Sequence, residues 1–289
     1  MTPESADGDG KETATKTLVY VAGYGRSGST LLGRLIASTG HALDVGEVAM
    51  APLFLYRSRI RCACGSRMAA CPVWGALPQA LRDLPRRPAN RQDHLALLRA
   101  ILEVSPQPTI VDSSKTAVAL AFRPYFLSRN LPIRLRLVHL VRDPRAVVWS
   151  VVRDRRTRWD EPSFWRDVVL AAKTSLVWQV ANVAAELQAF WFAPNVIRLR
   201  YDHLVQFGTQ DSLQGILPLG TLEGVTHESG IGDYHSLGGN AMRNEKTVVV
   251  KLDDAWRAQM PRHLLCLATV LSFPFIIRYR FGLRSDGAT

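Results

Sequence analysis

Apolar positions along the chain fall into two alternating kinds of stretch. Short apolar runs of strand character occupy Thr17–Ala22, Thr109–Val111, Leu135–Val141 and Val196–Arg200. Their length and continuity suit strands buried on both faces of a parallel sheet. Between them, helical patterning covers about Thr30–Ser38, Arg91–Val104, Ala117–Arg129, Arg145–Arg153, Phe164–Phe192 and Ala255–Leu271. Strands alternating with helices predict an α/β fold, a central parallel sheet between two helical layers. Ligands bind such sheets beyond the carboxyl ends of the strands. The loops after Ala22, Val111, Val141 and Arg200 are therefore the places to look for chemistry.

Residues 1–16 are polar and charged, without the apolar core of a signal peptide or anchor, and read as a disordered tail. No repeat and no Pro/Ser-rich linker divides residues 17–285, so a single domain is expected there. Two stretches interrupt the alternation: 51–91, rich in Arg, Pro and Cys, and the glycine-rich 206–251. Insertions of that length are expected to be lids over a site. The apolar stretch "HLLCLATVLSFPFII" is too short to span a bilayer and holds Pro274. It reads as a buried helix followed by strand or coil, and the chain as soluble and cytoplasmic, with no membrane span.

Composition adds a sign to this picture. The 289 residues are 47% hydrophobic, enough for a sizeable core, and carry a formal charge of +11 from 30 Arg and 6 Lys. Arginine forks match phosphate and sulfate oxygens, which points to an anionic ligand; a GC-rich genome is the other source of such an excess. The basic residues are scattered, which argues against a nucleic-acid partner.

Three of the four cysteines, Cys62, Cys64 and Cys71, share the segment "RCACGSRMAACPVW", and the fourth is Cys266. A CxC pair and a third Cys can ligate zinc. No fourth ligand is nearby in sequence, however, and CxC is a tight spacing for a structural zinc site. Free thiols on a covering loop are expected ahead of a disulfide, and a disulfide ahead of zinc; no metal is expected.

The densest signal is "LVYVAGYGRSGSTLLGRLI", Leu18 to Ile36: an apolar strand, a glycine-rich loop and a helix. Gly23, Gly28 and Thr30 fit the phosphate-loop pattern G-x-x-x-x-G-K-[ST], but Ser29 stands where the lysine should be. Backbone amides and the positive end of the helix still face an anion there. In a nucleoside triphosphatase the lysine and Mg²⁺ answer the β- and γ-phosphates. The missing lysine suggests a less charged ligand and no metal, with Arg26 supplying a fixed charge. A second constellation is "LVHLVRDPRAVVWSVVRDR". Arg142 lies on a strand's carboxyl edge, Pro144 suits a helix's first turn, and Ser150 follows about two turns later.

Together "GYGRSGSTLL" and "VRDPRAVVWS" resemble the sulfotransferases that use 3′-phosphoadenosine-5′-phosphosulfate. "RYDHLV" is similar to a strand-to-helix turn of that family, and "CACG…CPVW" and "HSLGGNAMRNEK" are similar to segments of its bacterial branch. These motifs span Leu18 to about Trp256. The resemblance implies a P-loop-like three-layer α/β/α domain and sulfuryl transfer to an acceptor hydroxyl, in line and without metal. It assigns the donor's 5′ side to Gly25, Arg26, Ser27, Gly28, Ser29 and Thr30, and the 3′-phosphate to Arg142 and Ser150. Tyr201 matches an adenosine-side contact of the tyrosylprotein branch. Ser236 to Lys246 would close over the nucleotide, with Arg243 touching a phosphate.

An acceptor hydroxyl needs a base. "LDVGEVAM" resembles the Gly-Glu segment of the tyrosylprotein branch, which implies Glu47. His41 is the competing candidate, and His139, inside "LRLVHLV", reads as a core histidine. Arg26, and Lys115 in "TIVDSSK", are candidates for holding the sulfuryl oxygens; Asp112 and Ser113 are read as caps of a helix starting near Thr116. Trp74, Trp159 and Trp165 are either walls of an acceptor pocket or core. The acceptor stays open among small molecules, glycans, lipids and peptides. Two rival readings remain: a P-loop kinase of a small molecule, and a catalytically idle nucleotide-binding protein.

Overall fold

The computed structural model describes residues 15–55, 60–117, 120–159, 163–192, 195–206, 228–229, 234–239 and 248–282. The strands are β1 (Thr17–Ala22), β2 (Ala42–Gly46), β3 (Thr109–Asp112), β4 (Arg134–Val141), β5 (Val196–Arg200), β6 (Glu228–Ser229), β7 (Tyr234–Leu237) and β8 (Val248–Val249). The helices are α1 (Ser29–Ala37), α2 (Pro52–Leu55), α3 (Gln79–Arg82), α4 (Arg91–Val104), α5 (Arg123–Asn130), α6 (Pro144–Trp159), α7 (Phe164–Phe192), α8 (Tyr201–Gln206), α9 (Trp256–Gln259) and α10 (Arg262–Arg278).

Among the described residues, six strands form one parallel sheet in the order β5-β4-β1-β3-β2-β7; β6 and β8 pair separately. The side-chain period of two sends alternate residues of β1 into different cores. Leu18, Tyr20 and Ala22 join the cluster containing Leu97, Leu98 and Ile101 of α4. Val19 and Val21 join Leu31, Leu32 and Leu35 of α1. Helices therefore cover both faces, which is why the strands read as continuous apolar runs. The three-layer α/β/α expectation holds.

Several expectations about local structure need correction. The 51–91 insertion is not only a lid, because Cys62, Met68, Cys71, Trp74 and Leu77 are integral to the core beside α4. The helix expected over Ala117–Arg129 begins at Arg123, and Ser113–Thr116 is loop. Asp112 does not cap a helix; it accepts the Ser114 N–H at 2.9 Å. The C-terminal helix runs through Pro274 to Arg278, so no strand or coil follows there. Strands β2 and β7 lacked apolar runs long enough to betray them. Of the described helices α7 is long and apolar enough to cross a bilayer, its best window averaging 1.4 in hydropathy. Here it is a cover helix packed on α6, α10 and β4, with Trp178, Asn182 and Gln188 buried.

Candidate functional site

An open cleft of about 940 Å³ lies over the carboxyl ends of β1, β2, β3 and β4. Its walls include Gly25, Arg26, Gly28, Ser29 and Thr30 from the loop after β1, and Arg142 and Ser150 from β4 and α6. Glu47, Lys115 and Tyr201 complete it. Of the residues singled out in the sequence, Arg243 lies outside the described residues, and Ser27 sits just beneath the surface at 1% exposure.

The loop after β1 owes its shape to three left-handed residues. Gly23 (φ 114°), Arg26 (φ 63°) and Gly28 (φ 95°) turn the chain back into α1. A Cβ on Gly23 would meet the Leu140 carbonyl oxygen at 2.6 Å, and one on Gly28 would meet the Tyr201 ring at 2.5 Å. Glycine is therefore required at both. The N-terminus of α1 carries no side-chain cap and no acidic residue in its first turn. Its orphan amides and positive dipole end remain available to an anion. The buried Ser27 Oγ and Arg142 Nε have no hydrogen-bond partner among the described residues. Buried unpaired donors beside a helix N-terminus fit an anionic ligand.

Arg142 is held at the boundary of this cradle. It donates to the Arg26 carbonyl at 3.0 Å and to the Asp253 carbonyl at 2.7 Å, and its Nη2 pairs with Asp253 Oδ2 at 3.1 Å. Its guanidinium also stacks 4.5 Å above the Tyr201 ring centroid. Burial pushes the Asp253 carboxyl up, but the Arg142 and Arg153 charges outweigh burial and leave it below the ordinary range. For Tyr201, burial raises the phenol and the Arg142 charge only partly opposes it. Arg26 turns its guanidinium to Asp154, 2.7 Å away on α6.

Glu47 follows β2 and Lys115 follows β3, and their charged ends meet in an ion pair between Oε1 and Nζ. The backbone beneath them is tied from several sides. Lys115 adopts a left-handed φ of 68°, a conformation that costs a non-glycine residue and persists only when its surroundings impose it. Its N–H donates to the Val21 carbonyl at 3.2 Å, and the Tyr20 hydroxyl donates to the Lys115 carbonyl at 2.6 Å. Ser113 N–H reaches the Gly46 carbonyl at 2.7 Å, and the Ala49 N–H reaches Ser114 Oγ at 2.9 Å. Below, Asp112 Oδ2 lies 2.7 Å from His94 Nε2, while Arg123 donates to His94 Nδ1 at 3.1 Å, so Nε2–H is the donor to Asp112.

β7 closes the other side. The Glu47 N–H donates to the Leu237 carbonyl at 2.8 Å. The glycines after β7 then pass close by: a Cβ on Gly238 would lie 3.2 Å from that of Glu47, and one on Gly239 would lie 2.6 Å from Thr30 Oγ1. Sequence reasoning saw "HSLGG" only as part of a closing loop and missed β7 as the strand that seats Glu47.

The competing base candidates separate clearly. His41 is exposed just before the amino end of β2, the end opposite Glu47, and does not line the cleft. His139 is buried, with Nε2 at 2.8 Å from Asn182 Oδ1, and burial pushes its imidazole down to about 4. It is a core histidine. Trp74 is fully buried, Trp165 is largely exposed, and neither lines the cleft; the Trp159 side chain lies outside the described residues.

No protein-family model matches the chain, and no curated protein matches its sequence significantly. Solved structures do match in fold, and those that match are sulfotransferase domains. The sulfotransferase domain of the Synechococcus PCC 7002 olefin synthase aligns with a TM-score of 0.57 at 19% identity, over 95% of this chain and 98% of that one. The sulfotransferase domain of the curacin biosynthetic pathway aligns with a TM-score of 0.51 at 19% identity, over 90% of this chain and 97% of that one. The chain thus has the fold of bacterial sulfotransferase domains along nearly its whole length.

Proposed function

We propose that this chain transfers a sulfuryl group from 3′-phosphoadenosine-5′-phosphosulfate to an acceptor hydroxyl. The observation that carries the reading is the meeting, in one cleft, of an uncapped helix N-terminus, a buried arginine and a Glu47–Lys115 ion pair. The sulfated end of the donor lies against the amides of Gly25–Thr30 and the Ser27 and Thr30 hydroxyls. One phosphate beside a monoanionic sulfuryl group needs less compensation than a triphosphate, so Ser29 suffices where a lysine would otherwise stand. Arg142 and Ser150 take the 3′-phosphate, with Asp253 moving off the guanidinium edge as it arrives.

The acceptor oxygen attacks sulfur as the bond from sulfur to the bridging phosphate oxygen breaks. The electron pair of that bond leaves with adenosine 3′,5′-bisphosphate, and the hydroxyl proton passes to Glu47. A carboxylate has two oxygens, so Glu47 can keep Lys115 on one and accept the proton on the other. Lys115 and Arg26 stabilise the equatorial oxygens of the migrating group; this contribution is electrostatic and depends on positioning. In this reading the compensating positive charge comes from the backbone amides, Arg26, Lys115 and Arg142.

The test is a thermal-shift titration with adenosine 3′,5′-bisphosphate, ADP and ATP·Mg²⁺, followed by incubation with donor and a metabolite extract. A stabilisation specific to the bisphosphate and products heavier by one sulfuryl group support the reading. Preference for ATP·Mg²⁺ favours a kinase, and bisphosphate binding without transfer favours an idle nucleotide-binding protein.

A further inference from the structure

Away from the cleft, the fold assembles a second cluster that the proposed reaction does not use. Cys62, Cys64 and Cys71 of the insertion converge on His235 of β7, and one ligand atom from each lies within 4.8 Å of all the others. The expectation that no fourth ligand is at hand fails because β7 delivers one from 164 residues further along the chain. Cys71 Sγ is 3.2 Å and Cys62 Sγ is 3.7 Å from His235 Nδ1. Zinc bound to sulfur at about 2.3 Å and to imidazole nitrogen at about 2.0–2.1 Å places the two about 3.6 Å apart at a tetrahedral angle. The observed separations bracket that value.

The surrounding backbone is shaped for the same purpose. The Cys62 N–H donates to the Ser66 carbonyl at 2.9 Å and the Gly65 N–H to the Cys62 carbonyl at 2.8 Å, with Gly65 left-handed at φ 85°. This tight turn brings Cys62 and Cys64 onto one side despite their CxC spacing. The Trp74 N–H points at Cys71 Sγ at 3.5 Å, and Trp74 Nε1 donates to the His235 carbonyl at 2.6 Å. Amide donors on a sulfur and a fixed ligand backbone are what the outer layer of a thiolate metal site provides. All four cysteines are free, with Cys62 and Cys71 buried.

We infer that Cys62, Cys64, Cys71 and His235 bind a structural zinc ion. Three soft thiolates and an imidazole select zinc over hard cations, and four protein ligands leave no open position for substrate. The ion clamps residues 62–71 to β7, the strand whose Leu237 carbonyl and following glycines seat Glu47. This inference does not depend on the sulfuryl-transfer reading.

The experiment is metal analysis of untagged, chelator-free wild-type protein after incubation with Zn²⁺ under reducing conditions, with Cys71→Ser, His235→Asn and Cys266→Ser alongside. The expected result is one tightly held zinc per chain in the wild type and in Cys266→Ser, a loss in the other two, and a chelator-induced drop in Tm that added Zn²⁺ reverses. Should those two variants fail to fold, cobalt-substituted wild type supplies the readout: intense visible bands of a tetrahedral site with thiolate-to-cobalt charge transfer. Wild-type protein that retains no zinc, an octahedral cobalt spectrum, or an intact mass reporting a Cys62–Cys71 disulfide each overturns the inference.

Discussion

Lys115 Nζ and Glu47 Oε1 touch across the mouth of the cleft, although the two residues stand 68 positions apart in the chain. Each follows the carboxyl end of its own strand, β3 and β2, and those strands are neighbours in the sheet. If Glu47 takes the acceptor proton, Glu47→Gln should lower turnover by about 10²–10³-fold, the cost typical of losing one group that acts in the transition state. Affinity for adenosine 3′,5′-bisphosphate, read by calorimetry, should stay unchanged. Lys115→Met should show a loss of similar size, and the double variant should fall short of the product of the two because the residues act as a unit. Undiminished turnover in Glu47→Gln removes it as the base.

Arg142 and Asp253 pair where the proposed function puts the 3′-phosphate. Arg142→Ala should abolish the preference for adenosine 3′,5′-bisphosphate over AMP, because the guanidinium is the cation assigned to the extra phosphate. Asp253→Asn should move the preference the other way, by removing a carboxylate that competes for the same guanidinium edge at 3.1 Å. Isothermal titration with both nucleotides reads each effect directly, and equal discrimination in all three proteins would falsify this assignment.

Gly28 has neither the space nor the backbone angle for a side chain. Gly28→Ala forces a left-handed alanine against the Tyr201 ring, and strain of this kind costs on the order of 1–3 kcal/mol. Its Tm should fall, and bisphosphate affinity should fall with it, since the loop that presents the amides must shift. Gly25→Ala is the control: among the described residues, its chain neighbours aside, no atom lies within 4 Å of its Cβ position. Its Tm should remain close to that of the wild type.

Two buried groups act in opposite directions on stability between about pH 4 and 7. Burial, with the nearby Asp112 charge, pushes the Asp44 carboxyl up to about 7, despite the Gly46 N–H it accepts. In this window the folded state holds a proton that the unfolded state has lost, so the Asp44 contribution weakens as pH rises. His139 is pushed down to about 4, so there the unfolded state binds the extra proton and stability rises with pH. Each effect is on the order of 3 kcal/mol, and they largely cancel. Asp44→Asn, which mimics the protonated acid, should expose a Tm that climbs with pH over this range. His139→Gln should expose one that declines. Parallel wild-type and variant Tm profiles would exclude these linkages.

Local patterning was enough to predict much of this protein. β1, β5, α4 and α7 lie where the apolar runs and periodicity place them, because a short apolar strand run and a long helical pattern are local signals, strong even where β5 and α7 are only partly buried. The glycine-rich turn after β1 was equally legible, since Gly23 and Gly28 are demanded by backbone angles and close approach that only glycine tolerates. What tertiary structure alone decided are the pairings made across the sheet: Glu47 with Lys115, Arg142 with Asp253 and Tyr201, and three cysteines with His235. β2 and β7 are short and carry polar residues, so their sequences do not reveal that they run side by side. Adjacency in a parallel sheet is set by the packing of whole layers, which no local stretch of residues encodes. That packing places Glu47 in the cleft, leaves His41 at the far edge, and gives the CxC pair its fourth partner.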